Sequence, residues 1–242
     1  MEREHLIRLE TTVSTNDEVK AAAREGAPSG TAVLAGMQTG GRGRRGRSFL
    51  SPPGGAYFSV LYRTVLAPED LASMTAMAAV AVSRGIESVC ALRPVIKWPN
   101  DVLLSGRKVC GILCESLFDE AGAGIVIGIG VNVRRTPFPL ELRDLVTTLE
   151  DEAGFPPDPE EVALAVLRDL DGWAAGWPEK REEAMAAYRL RCDTLGKEIT
   201  WMENGTERRG IAREIDRLGG LVAETEAGAM TLRWGEVTVR RT

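Results

Sequence analysis

Four arginines fall within six positions of the stretch "GGRGRRGRSFLSPPGGAYFSV", residues 40–60: Arg42, Arg44, Arg45 and Arg47, interleaved with Gly41, Gly43 and Gly46. Guanidinium groups meet phosphate or carboxylate oxygens with paired donors, and glycines let backbone N–H groups approach the same anion. Three arrangements would use such a stretch: a flexible arm on nucleic acid, a solvated surface loop, or an ordered lid over a phosphate-bearing small molecule. Two further cations, Lys97 and Lys108, stand in "KWPNDVLLSGRKVCGI". Lys108 opens an otherwise apolar strand, as a solvated edge cation or as a charge aimed at an anion. Pro99, Asn100 and Asp101 have the composition of a turn, and Asp101 is a candidate acceptor for a ribose or a metal. The only histidine is His5, which disfavours Ser-His-Asp and Cys-His catalysis. The chemistry falls to Lys, Arg, Asp and Asn.

Thirty Lys plus Arg against 35 Asp plus Glu leave a net charge of −5 and a pI near 5.2, so positive potential must be local. That disfavours a polyanion-binding surface and suits one small anionic ligand. The 242 residues, 44% of them hydrophobic, suffice for a large domain with a small second one. Cys90, Cys110, Cys114 and Cys192 form no CxxC pair, so buried free thiols are expected rather than a zinc site or disulfides. The charged N-terminus lacks the apolar core of a secretory signal and no run is long enough to span a bilayer, so a cytoplasmic protein is expected.

These residues need elements to hold them. "STNDEVKAAAREG" predicts a helix capped by Ser14, and "TAVLAGMQ" and "AYFSVLYR" predict strands that pin the arginine loop at both ends. Residues 68–89 carry helical spacing, with Glu69 and Asp70 in the first turn. "VIKW", "DVLL", "KVCGILCES" and "IVIGIGVNV" predict four strands of a mixed, largely antiparallel sheet with helices packed on it. Helices follow at 158–177 and 178–192. Beyond Gly196, five short strands predict a small β-barrel. In "IVIGIGVNV" the odd positions from Ile125 to Val133 face the core, while Gly128, Gly130 and Asn132 face the other way. That emptied face suits a ligand slot or close packing by a helix, and Asn132 at its end favours the slot.

The ordered set S-T-N, Q-x-x-G-R-G-R-R-G-R, K-W-P-N-D, G-R-K-x-x-G-I and G-x-N, over residues 11–135, resembles the biotin protein ligases. The resemblance implies an α+β fold. It has a class II synthetase-like catalytic domain at 1–192 and a C-terminal SH3-like barrel at 193–242. It implies an enzyme that makes biotinyl-5′-AMP from biotin and ATP, with Mg²⁺, and transfers biotin to a lysine of a biotin carboxyl carrier protein. It places Ser14, Thr15, Asn16 and Gln38 around the biotin head group, and Arg42, Gly43, Arg44 and Lys108 along biotin and the phosphate. Lys108 and Arg44 become the catalytic pair. Arg42, Arg45, Phe49, Lys97, Asn100, Asp101 and Asn132 face ATP or the adenylate, and Asp101 is the candidate Mg²⁺ ligand. Phe49 stands where the family often has an adenine-stacking tryptophan.

The catalytic motifs begin at Ser14, which leaves no room for the N-terminal winged helix of some members. No DNA and no membrane partner are therefore expected, and a homodimer is the assembly to look for. The rivals are a lipoate-protein ligase, which shares fold and adenylation, and a non-catalytic nucleic-acid-binding protein, which the acidic pI and the 5% aromatic content disfavour.

Overall fold

The computed structural model describes residues 4–63, 70–120, 122–233, 235 and 237–239. A seven-stranded sheet is built from β1 (Leu6–Thr12), β2 (Ala32–Gln38), β3 (Ala56–Arg63), β4 (Val95–Lys97), β5 (Asp101–Leu104), β6 (Arg107–Asp119) and β7 (Gly122–Val131). Its order is β1-β2-β3-β7-β6-β5-β4. Only the β1–β2 pair is parallel, so the sheet is mixed and largely antiparallel as expected. β1 was not anticipated: "LIRLETT" alternates poorly, and most of its side chains are exposed or half-exposed at the sheet edge.

Helices cover both faces. On one side α2 (Leu71–Cys90) packs against α4 (Pro159–Ala174), α5 (Arg181–Arg191) and β6. The predicted isoleucine face of β7, Ile125 to Val133, lies in the core on this side. Asp158 caps α4 by accepting from the Glu160 N–H, with Pro159 in the first turn. α4 stops at Ala174 rather than at Trp177. Of the two acids expected at the start of α2, Glu69 lies outside the described residues, and Asp70 is the N-cap and pairs with Arg181 at 2.7 Å. A short α3 (Leu149–Ala153) gave no periodic signal in the sequence.

On the opposite face α1 (Thr15–Arg24) seals a smaller core of Val19, Ala23, Val33, Leu61, Leu117 and Val126. Ser14 has the extended backbone of an N-cap, but its side chain makes no capping hydrogen bond, which corrects the expectation from sequence.

Five strands follow: β8 (Glu198–Glu203), β9 (Thr206–Ile215), β10 (Leu221–Thr225), β11 (Gly228–Leu232) and β12 (Thr238–Val239). They form an antiparallel sheet of order β11-β10-β9-β8-β12. Its inward residues, Ile199, Trp201, Ala212, Ile215, Leu221 and Ala223, belong to the same hydrophobic core as α2 and Trp98. Hydrogen bonds join the segment after β4 to the segments that flank the C-terminal strands. The Trp98 indole N–H donates to Gly219 O at 3.0 Å, and the Trp98 backbone N–H donates to Thr194 Oγ1 at 2.9 Å. Among the described residues no helix is long and apolar enough to cross a membrane.

Candidate active site

A cavity of about 350 Å³ opens where the first turn of α1, the arginine loop, the 97–101 turn and the glycine-bearing parts of β6 and β7 converge. It brings together twelve of the fourteen expected site residues: Ser14, Thr15, Asn16, Gln38, Arg42, Gly43, Arg44, Phe49, Lys97, Asn100, Asp101 and Lys108. Arg45 and Asn132 lie outside its lining. Arg45 is exposed on a tight turn with φ of 58°. Asn132 is buried, and its Nδ2 donates to Thr147 O at 3.1 Å. The 145–147 segment it holds pairs with the Lys108 backbone: the Lys108 N–H donates to Leu145 O, and the Thr147 N–H donates to Lys108 O. Asn132 therefore supports the strand that carries Lys108.

The polar end of the cavity is built on small neighbours. Thr15 and Asn16 are buried in the first turn of α1. The Thr15 N–H donates to Gln38 Oε1 at 2.9 Å, and Gln38 Nε2 donates to Ser51 Oγ at 2.9 Å. Asn16 lies over Gly128, whose missing Cβ would occupy the space of its carboxamide, and it reaches Leu113 O and Glu115 on β6. Next along β7, the Phe49 ring fills the space over Gly130. The same ring and the Lys108 side chain share the space over Gly111. The emptied strand face does line the cavity, through Gly111, Gly128 and Gly130, but it is not bare. It is the seat of Asn16 and Phe49, two side chains that themselves line the cavity, and no β-carbon could be tolerated beneath them.

The cationic end holds Lys97, Lys108, Arg42 and Arg44, with Arg47 beside them. Lys108 Nζ is 2.7 Å from Asp101 Oδ1 and 5.6 Å from the Phe49 ring centroid, so it faces the cavity rather than bulk solvent. Arg42 is clamped by Asp17 through two hydrogen bonds of 2.9 and 2.5 Å; that partner raises its pKa further, although partial burial opposes it. The arginine loop is tied down by this clamp and by bridges between Arg42 and Ser48 and between Gln38 and Ser51, so it is a wall of the site and not a free arm. Val237 and Thr238 of the C-terminal sheet also line the cavity, a contribution with no signal in the sequence.

Burial pushes the Cys110 thiol well up, and the Cys114 thiol to about 12, so neither is a nucleophile near neutrality. Among the described residues no three ligating side chains come together around a metal, and Asp101, the one carboxylate in the lining, is engaged by Lys108. A hard cation such as Mg²⁺ needs about six oxygen donors. These residues do not fit a resident Mg²⁺ site.

The arrangement offers hydrogen-bonding side chains at one end and a cluster of lysine and arginine side chains at the other, which suits an anionic molecule with a neutral polar head. Residues 9–132 match the biotin/lipoate A/B protein ligase family. The bifunctional ligase/repressor BirA of Bacillus subtilis is 41% identical over 155 residues, 62% of this chain and 48% of its own length, so the match spans about half of that relative. The biotin–[acetyl-CoA-carboxylase] ligase of Paracoccus denitrificans is 34% identical over 93% of this chain and 98% of its own. The biotin protein ligase from Aquifex aeolicus in complex with biotin and ATP superimposes with a TM-score of 0.84 and 31% identity, covering 99% of this chain and all of that one. Motifs, cavity and whole-chain likeness agree, and the chain belongs to the biotin/lipoate A/B protein ligase family.

Proposed function

We propose that the chain is a biotin–protein ligase, which joins biotin and ATP as biotinyl-5′-AMP and then transfers the biotin to one lysine of a biotin carboxyl carrier protein. The observation that carries this reading is a single cavity with hydrogen-bonding side chains at one end, Thr15, Asn16 and Gln38, and a cluster of Lys97, Lys108, Arg42 and Arg44 at the other. In the first step a biotin carboxylate oxygen attacks the α-phosphorus and pyrophosphate leaves. In the second, the carrier lysine amine attacks the carbonyl of the mixed anhydride, AMP leaves, and the amine loses a proton.

The first step brings two anions together. Fixed cations in a site partly screened from water offset that repulsion by several kcal/mol, a term that grows as negative charge concentrates at the transferring phosphorus. Lys108 and Arg44 are assigned this role. Lys108 exchanges its partner Asp101 for the anionic substrates. No general base is required, because a carboxylate is already the nucleophile, and a chain with a single histidine can therefore carry out the reaction. Phe49, held over two glycines, offers its ring to adenine, and Lys97, Asn100 and Asp101 stand beside the nucleotide. Mg²⁺ enters and leaves with the triphosphate as part of the substrate.

Residues 1–192 act as the class II synthetase-like catalytic domain and 193–242 as the SH3-like barrel. The protein works in the cytoplasm. The test is mass spectrometry of a carrier domain incubated with the protein, biotin and Mg-ATP. One added biotin on one lysine is expected, and an unmodified carrier overturns the reading.

A further inference from the structure

The hydrogen-bond network behind the polar end of the cavity has a direction, and its source lies outside the cavity. Glu115 accepts from Lys20 Nζ at 2.7 Å and from Asn16 Nδ2 at 2.6 Å. Burial raises its pKa, but the hydrogen bonds from Lys20 and Asn16 and the charges of Lys20 and Arg42 outweigh that and hold it below the usual range. It is a carboxylate and can only accept. Both Nδ2 hydrogens of Asn16 thus point at acceptors, Glu115 and Leu113 O, which fixes Asn16 Oδ1 toward Ser59.

Ser59 is fully buried on β3, and its Oγ is 2.5 Å from Asn16 Oδ1. The amide oxygen has no hydrogen, so the single Ser59 hydrogen is committed there. The contact of 2.7 Å between Thr15 Oγ1 and Ser59 Oγ must then take its hydrogen from Thr15. From the other side, Ser51 Oγ donates to Phe49 O at 3.0 Å, so Ser51 accepts from Gln38 Nε2, and Gln38 Oε1 is turned toward Thr15. Thr15 Oγ1 could also donate to Gln38 Oε1 at 3.2 Å, but the hydroxyl has one hydrogen and the shorter contact to Ser59 takes it. Both residues line the cavity: Gln38 Oε1 accepts from the Thr15 N–H and keeps one further lone pair, and Thr15 Oγ1, its hydrogen spent on Ser59, can only accept.

We propose that Glu115 and Ser59 are positioning residues that fix Thr15 Oγ1 and Gln38 Oε1 as hydrogen-bond acceptors, so that the pocket selects a head group presenting ring N–H donors. The proposal rests on the ligase reading above and adds its specificity. A cyclic urea has two ring N–H groups, whereas the dithiolane ring of lipoate has none. A site built to pair with such a group rejects an analogue lacking it by up to about 10⁴-fold, because its own polar atoms are left unpaired.

The test is calorimetric titration with biotin and with its two carbamate analogues, each of which replaces one ring N–H by oxygen. The wild type should prefer biotin to the weaker-binding analogue by about 100-fold. In Ser59→Ala the Thr15 hydroxyl loses its acceptor and can turn to donate. In Glu115→Gln the new amide keeps its oxygen on Lys20, offers its N–H to Asn16 and reverses the chain. Both variants should bring the preference below about tenfold, while Ser59→Thr, which keeps the hydroxyl, should retain it. A general loosening of the site would weaken all three ligands alike and leave the ratio unchanged. An unchanged ratio in folded Glu115→Gln overturns the proposal; that variant alone decides if Ser59→Ala fails to give a cooperative melt. A wild type that binds biotin but shows no such preference overturns the polarity alone, whereas one that binds lipoate and not biotin overturns the ligase reading together with it.

Discussion

Lys108 shows how backbone and side chain divide their duties at one position. Its N–H and C=O tie β6 to the 145–147 segment, and its ammonium faces Asp101 and the cavity. Lys108→Ala should therefore leave thermal stability nearly unchanged while slowing adenylation about 100-fold, the equivalent of a few kcal/mol of transition-state stabilisation. Full activity in that variant would reduce Lys108 to an edge cation. The glycines beneath Asn16 and Phe49 make a paired prediction. A Cβ at 128 would displace the Asn16 carboxamide, and one at 130 would displace the Phe49 ring. Gly128→Ala should weaken biotin binding about tenfold or more with less effect on the KM for ATP, and Gly130→Ala should do the reverse. Equal damage to both substrates from both variants would contradict the division of the cavity into two ends.

At the level of elements, the 97–101 turn is held by the segments that flank the C-terminal strands, through the Trp98 indole bond to Gly219, between β9 and β10, and the Trp98 backbone bond to Thr194, ahead of β8. Trp98→Phe leaves the Gly219 carbonyl without that donor and should cost about 1–3 kcal/mol, seen as a lower urea midpoint with an unchanged slope. A larger rise in the KM for ATP than in the Kd for biotin should accompany it, because Lys97, Asn100 and Asp101 share that turn. Most elements were legible in sequence because their apolar periods are clean, as in α2 and β7. β1 was not, since as an edge strand it buries little and its pattern carries no alternation. The glycine stripe was legible as an emptied face but not for its occupants. Asn16 and Phe49 come from segments 112 and 81 residues away from Gly128 and Gly130, and no local pattern links them. Asn132 looked like a site residue because it ends that stripe, and its carboxamide donates to Thr147 O. Ser59 and Glu115 gave no signal, each being one polar residue in an ordinary strand.

At the scale of the molecule, three carboxyls among the described residues, Glu115, Asp151 and Glu152, are held below their ordinary pKa. Burial works against this in each case, and hydrogen bonds with charged neighbours outweigh it: Lys20 and Asn16 at Glu115, Arg135 and Thr148 at Asp151, and Ser105, Thr147 and Arg107 at Glu152. The unfolded chain binds protons at these groups first, so their stabilisation is present above the ordinary range of 3.8 to 4.5 and is lost as pH falls through the lower folded values. Burial raises the thiols of Cys110, Cys114 and Cys192, so their contribution is present below about pH 9 and is lost as pH rises. The urea midpoint should accordingly stay level between about pH 5 and 8 and fall on both sides; a steady slope across that interval would contradict it. Biotin activation is read by ATP–pyrophosphate exchange, run in parallel with biotin, with lipoate and with neither. Label should enter ATP only when biotin is present; lipoate-dependent exchange without biotin-dependent exchange would rule out a biotin ligase.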